Sequence, residues 1–193
     1  VKTTLSLDRV RGCLLGGAVG DALGGAVEFD SLAQIRSEHG ANGIVDYANA
    51  YGRHRAITDD TQMTLFSAEG LIRAATHGAL DDRASTVAVL HHAYLRWLLT
   101  QTGQWGGSRD VDAQFSDQPD GWLVNEQVLH HRRAPGTTRL SALSSGRLGT
   151  PAQPVNDSRA AAMSRRFETR ASVTWPCSST ARYTYRDTPA TLT

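Results

Sequence analysis

Four carboxylates, Asp21, Glu28, Asp59 and Asp60, sit in two short stretches of the chain whose residue types could do chemistry. The first stretch runs Gly-Asp-Ala-Leu-Gly-Gly-Ala-Val-Glu-Phe from Gly20 to Phe29. The second runs Thr-Asp-Asp-Thr-Gln-Met-Thr from Thr58 to Thr64. Carboxylate oxygens held on rigid helices suit a hard divalent cation. The same groups can handle protons at a glycosidic carbon. Metal-dependent hydrolysis is the chemistry to which these residues point.

Helices must position them. Asp8 can cap a helix predicted from Arg9 to Phe29, where Val10, Cys13, Leu14, Ala18, Ala22 and Leu23 recur with helical spacing. Gly12, Gly16, Gly20 and Gly24 recur at every fourth position, with Gly17 and Gly25 beside them. A glycine inside a helix costs about 1 kcal/mol relative to alanine. The series therefore predicts a close approach, by another helix or by a ligand. Asp21 and Glu28 would fall on one line of that helix, together with Gly17 and Gly24. Open backbone beside acidic groups suits a bound ion or a phosphate-bearing ligand. Equally, Asp21 could cap a local turn and Glu28 could end the helix in solvent.

Residues 31–55 are polar and weakly periodic and read as loop with short pieces of structure. Thr58-Asp59-Asp60, ahead of Met63, Leu65, Phe66, Leu71 and Ile72, reads as the capped start of a helix. Capping accounts for one or two of these three residues and leaves their conjunction unexplained. A further helix is predicted over 84–101, with Val87, Leu90, Tyr94, Trp97 and Leu98 on one stripe. His91 and His92 lie on or beside that stripe and read as surface or core histidines. Residues 101–120 read as an exposed connector, 122–130 as helical, and Leu140 to Leu143 as the start of another short helix. Almost nothing alternates with period two, so the fold class is all-α.

Composition narrows the options. The 193 residues carry 20 basic against 19 acidic side chains, and Lys2 is the sole lysine. Such a balance offers no field for nucleic acid or a membrane surface. The two cysteines, Cys13 and Cys177, form neither a disulfide framework nor a zinc knuckle, and Cys13 reads as a small core residue. No apolar run approaches the ~20 residues of a spanning helix, and a cytoplasmic location is the expectation.

Taken in order, the motifs resemble those of the ADP-ribosylglycohydrolase family, which includes the dinitrogenase reductase-activating glycohydrolase. The matching pieces are Arg11 to Gly24, Glu28-Phe29, Thr58 to Met63, Asp120 to Leu123, Arg133 to Gly136, Leu140 to Leu143 and Asn156 to Ser158. The resemblance implies an all-α bundle with a binuclear magnesium or manganese site at the bottom of a cleft. It implies Thr58, Asp59 and Asp60 as metal ligands. Glu28, Asp59 and Asp60 become candidate catalytic groups, and Asp21, Gly24 and Glu28 candidate substrate contacts. It further implies an ADP-ribosylated protein or ADP-ribose conjugate as partner. Arg133, Gly136 and Asn156, within these motifs, could help line the cleft or equally be turn or packing residues, and carry no catalytic assignment.

Residues 1–158 are expected to form the N-terminal part of such a domain. Residues 159–193 read differently: Thr, Ser and Arg dominate, with one leucine and no isoleucine, a composition that cannot build a buried helical face. Back-translated with permissible codons and read from the third base, Arg159 to Ser164 becomes Gly-Cys-Gly-Asp-Val. In the same frame, Arg186 to Leu192 becomes Gly-His-Pro-Ser-Asp-Leu. Both are motifs of the family, so 159–193 is expected to be an out-of-frame or disordered tail. The family's later Asp-Thr-Asp-type segment has no counterpart, which predicts weak or absent metal binding and little or no hydrolysis by the chain as written. Two other readings stay open, a non-catalytic ADP-ribose or nucleotide-binding module and a helical fragment without a ligand.

Overall fold

The computed structural model describes residues 6–109, 118–150 and 153–157, except the side chain of Arg83. The predicted tail at 159–193 lies outside the described residues. The architecture is all-α: helices α1 (Leu7–Gly24), α2 (Leu32–His39), α3 (Asp59–Thr76), α4 (Arg83–Thr102) and α5 (Thr137–Ser144). A two-residue-per-strand hairpin, β1 (Asn49–Ala50) against antiparallel β2 (Arg53–His54), is the small exception.

Helices α3 and α4 form the centre. They run antiparallel, so Gln62 meets Trp97 and Gln101, Ser67 meets Tyr94, and Glu69 meets Arg96. Gly70 allows the close approach: a Cβ there would lie 3.0 Å from the Cβ of Ala93. Phe66, Trp97 and Leu129 make the buried apolar core, with Met63, Leu65, Leu123, Leu140 and Leu143 packed around them. Of the stripe predicted on α4, Trp97 and Leu98 are buried, Leu90 and Tyr94 half-buried, and Val87 exposed.

One end of the α3–α4 pair holds a buried ion cluster. Arg96 lies 3.3 Å from Glu69 and 3.4 Å from Asp120, and Arg73 also pairs with Asp120. The backbone N–H of Trp122 donates to Glu69 Oε1 at 2.8 Å. Gly121, at φ +105°, passes so close that a Cβ would meet that oxygen at 2.6 Å. Its position is therefore restricted to glycine twice over, by conformation and by space. Removing one member of such a buried pair costs about 3–5 kcal/mol because the other charge is left uncompensated.

Several expectations are corrected. The first helix is capped by Ser6, whose Oγ accepts from the N–H of Arg9, and Asp8 lies in its first turn. It ends at Gly24 rather than Phe29, with the N–H of Gly25 closing on the carbonyl of Asp21 at 2.7 Å. Asp21 and Glu28 therefore do not share a helical line. Among the described residues nothing comes within 4 Å of a Cβ placed at Gly12, Gly16, Gly17, Gly20 or Gly24. The close approach falls instead on Gly25, where a Cβ would lie 2.7 Å from Thr58 Cγ2. Cys13 is exposed rather than buried. Residues 122–130 form two short 3-10 turns, Leu123–Asn125 and Gln127–Leu129, in place of one helix.

Candidate functional site

The Thr58–Gln62 stretch begins α3, and each of its residues has a separate task. Thr58 is the N-cap: its Oγ1 accepts from the N–H of Asp60 at 3.2 Å and donates to Asp21 Oδ1 at 2.6 Å. Asp21 reaches across from the last turn of α1. Its Oδ2 accepts from the N–H of Thr58 at 2.8 Å, the N–H of Thr61 at 3.3 Å and the hydroxyl of Thr61 at 2.5 Å. An anionic acceptor at the N-terminus of a helix satisfies free donors and opposes the positive end of the helix dipole. Asp21 thus ties α1 to the start of α3. Gln62 is wholly buried and joins three elements. Its Oε1 accepts from Trp97 Nε1 at 3.2 Å and Gln101 Nε2 at 3.1 Å, while its Nε2 donates to the carbonyls of Leu129 and His131.

Behind this start, Arg133 locks the incoming chain. Its guanidinium donates to the carbonyls of Ile57 at 3.2 Å and Val128 at 3.0 Å, and its own carbonyl accepts from the N–H of Asp59 at 2.9 Å. Asn156 donates to the carbonyl of Thr138 at 3.2 Å, and Gly136 precedes α5 as its N-terminal flank.

The two free carboxylates of the stretch, Asp59 and Asp60, face one cation. Arg139 Nη1, from α5, donates to Asp59 Oδ2 and, at 3.1 Å, to Asp60 Oδ1. Asp59 is buried and Asp60 exposed. Burial pushes the Asp59 carboxyl above its ordinary range; Arg139 pulls it back, and the charges of Asp60 and Glu28 push it up again. The net direction is upward. For Arg139, burial pulls downward, but Asp59 and Asp60 outweigh it and hold the guanidinium more firmly charged.

Glu28 follows α1 in an exposed turn and lies close enough to Asp59 for their charges to interact. Its Oε2 accepts from Tyr51 Oη at 3.3 Å. Tyr51 and Gly52 form the tip of the β1–β2 hairpin, both with positive φ (+51° and +73°), as a two-residue turn of this hand requires. A tyrosine there is strained. Its phenol is pushed up to about 12 by burial, then by the charge and hydrogen bond of Glu28, then by Asp59 and Asp21. It therefore stays a proton donor to Glu28 across the physiological range. Beside this group, a cleft of about 330 Å³ opens between α1 and α3, lined by Gly17, Ala18, Asp21, Asp60 and Thr61. Gly24 is exposed at the end of α1.

Asp21, Glu28, Tyr51, Thr58, Asp59 and Asp60 thus belong to one neighbourhood. For a divalent ion the donor set is of the right kind, two carboxylates and a hydroxyl, all hard oxygens. Arg139 sets a positive group on both carboxylates and neutralises them in this arrangement. Among the described residues no group of three or more His, Cys, Asp or Glu side chains gathers to hold a metal. Protein oxygens alone would leave coordination positions for water or substrate. Tyr51, Thr61 and Arg139 were not singled out from sequence. Each meets its partner across 23 to 80 residues of chain, where local spacing carries no signal.

Comparison with known proteins bears on the family. No curated protein and no solved structure gives a match. Among the described residues no helix is long and apolar enough to cross a membrane. The profile of the ADP-ribosylglycohydrolase family, however, matches residues 2–182. The capped acidic start of α3, the aspartate that secures it and the family match over most of the chain lead to one conclusion: this protein is a member of the ADP-ribosylglycohydrolase family, a hydrolase family.

Proposed function

We propose that the chain removes ADP-ribose from a modified protein side chain or a related conjugate, by hydrolysis of its N- or O-glycosidic bond. The observation that supports this reading is the nearness of Glu28 to Asp59, and of Asp59 to Asp60, beside a cleft between α1 and α3 that Gly17, Asp21 and Asp60 help to line. Thr58, Asp59 and Asp60 would hold magnesium or manganese, and such ions, when bound, orient ribose hydroxyls and water and offset developing negative charge. The residues of the chain have their own parts. Asp21 fixes the first turn of α3, so the two carboxylates are presented from a rigid base. Glu28, exposed and oriented by the Tyr51 phenol, is placed to take a proton from an attacking water. The exposed backbone at Gly17 and Gly24 leaves space for the pyrophosphate-bearing part of the ligand.

Release of free ADP-ribose from an ADP-ribosylated arginine peptide, with and without manganese, tests the reading. Slow, manganese-dependent release that is lost in Glu28→Gln and Asp59→Asn is the expected outcome. A second reading, a non-catalytic ADP-ribose-binding module, is favoured by one observation: Arg139 already engages both carboxylates. Chelator-insensitive binding of ADP-ribose without any release would select it.

A further inference from the structure

We infer that Arg139 is a built-in counter-cation for the Asp59–Asp60 pair, so that a divalent ion enters this site only by displacing it. The inference rests on the proposed metal role of Thr58–Asp60 and adds what controls it. Asp59 meets Arg139 with its side chain only 4% exposed. Asp60 is next to it, and the charge of Glu28 also acts on it. Two adjacent carboxylates, one of them buried, are stabilised by a positive partner, and Arg139 supplies it. It uses a single nitrogen, Nη1, for both carboxylates, which places its charge between Asp59 Oδ2 and Asp60 Oδ1, two groups that would hold a metal ion.

The geometry also makes Arg139 removable. Its side chain is 46% exposed, whereas that of Arg96, in the buried ion cluster, is 1% exposed and held from both sides. Water can solvate a departing Arg139 at little cost, and Arg96 has no such route. The helix that carries it need not move: Leu140 and Leu143 of α5 pack against the Phe66–Trp97–Leu129 core and anchor it. Arg139 and a metal ion would compete for the same carboxylates, because both are cations and repel each other at that distance. Metal affinity is therefore an exchange, and Arg139 sets its level.

Calorimetric titration with manganese, backed by the electron paramagnetic signal of free manganese, tests this on the full chain. Arg139→Gln should bind manganese about tenfold more tightly than the unaltered protein, the scale of freeing one half-exposed, charge-assisted pair. Arg139→Lys keeps the charge on a shorter side chain with a more strongly hydrated head group, which leaves the carboxylates more readily, so its affinity should fall between the two. It also serves if the glutamine variant does not fold. The gain should vanish in Asp59→Asn/Arg139→Gln. Equal affinity in the unaltered, Gln and Lys proteins overturns the exchange while leaving the metal reading intact. Absence of manganese binding in all of them overturns the metal reading itself, and the exchange with it.

Discussion

Asp21→Ala should cost about 3–4 kcal/mol of folding stability. The carboxylate accepts four hydrogen bonds, from the N–H and hydroxyl of Thr58 at 2.8 and 2.6 Å and of Thr61 at 3.3 and 2.5 Å. Losing a helix cap alone costs about 1 kcal/mol. Thr58 and Thr61 are buried, at 3% and 8% exposure, so their hydroxyls are left without this acceptor, at about 1–3 kcal/mol each for a group that finds no substitute. Some rescue by neighbouring carbonyls and water brings the sum to the stated range. In a domain of this size each kcal/mol moves Tm by about 2–4 °C, so the melting point should fall by about 10 °C. Asp21→Asn should recover only part of this, because its NH2 group faces donors. Urea unfolding of Asp21→Ala, Thr61→Val and the double variant gives the coupling, expected at about 1–2 kcal/mol. A loss below about 1 kcal/mol for Asp21→Ala, or no coupling to Thr61, would refute the account of Asp21 as the tie between α1 and α3.

Two further expectations concern neighbouring positions. Gly25→Ala should destabilise by about 1–3 kcal/mol, since the new methyl must displace Thr58 Cγ2 from 2.7 Å. Gly20→Ala, with nothing within 4 Å, should instead gain up to about 1 kcal/mol; thermal melts that rank the pair the other way would contradict the packing described. Asp59→Asn should raise Tm by a few degrees at pH 7. The folded state raises the Asp59 pKa above the ordinary 3.8. The stability that favours its neutral form is complete below that value and lost as pH rises through the raised one. The advantage of the asparagine should therefore shrink as pH falls towards 4, and a less stable Asp59→Asn at pH 7 would mean that the Arg139 pair outweighs burial.

The legible and illegible parts of the sequence divide along physical lines. Helices α3 and α4 carry long apolar stripes, and Thr58 is a cap with acids in the first turn, so their positions follow from periodicity and capping. Helix α2 is short and polar, yet Ser31 and Gln34 form a capping box that was readable at that spacing. The extent of α1 was not readable, because Ala26 and Val27 after Gly25 keep helix-compatible residue types while the chain turns to bring Glu28 round. The glycine pattern drew attention to the series in α1, whereas the glycine under pressure stands one residue past its end. The acidic residues of the site were visible as a motif. Their cation was not, since Arg139 sits 80 positions from Asp59 and shares no local pattern with it.

Gln62 has a consequence for the order in which the molecule can be built. Among the described residues its amide nitrogen donates to the carbonyls at 129 and 131, and the N–H of Asp59 donates to the carbonyl of Arg133. The acidic turn is thus completed by chain that emerges from the ribosome some seventy residues after it. Contacts of such separation form late, after the loop-closure entropy of the intervening segment has been met. Released chains that stop before Leu129 should leave this turn frayed and open to proteolysis, and the full chain should protect it.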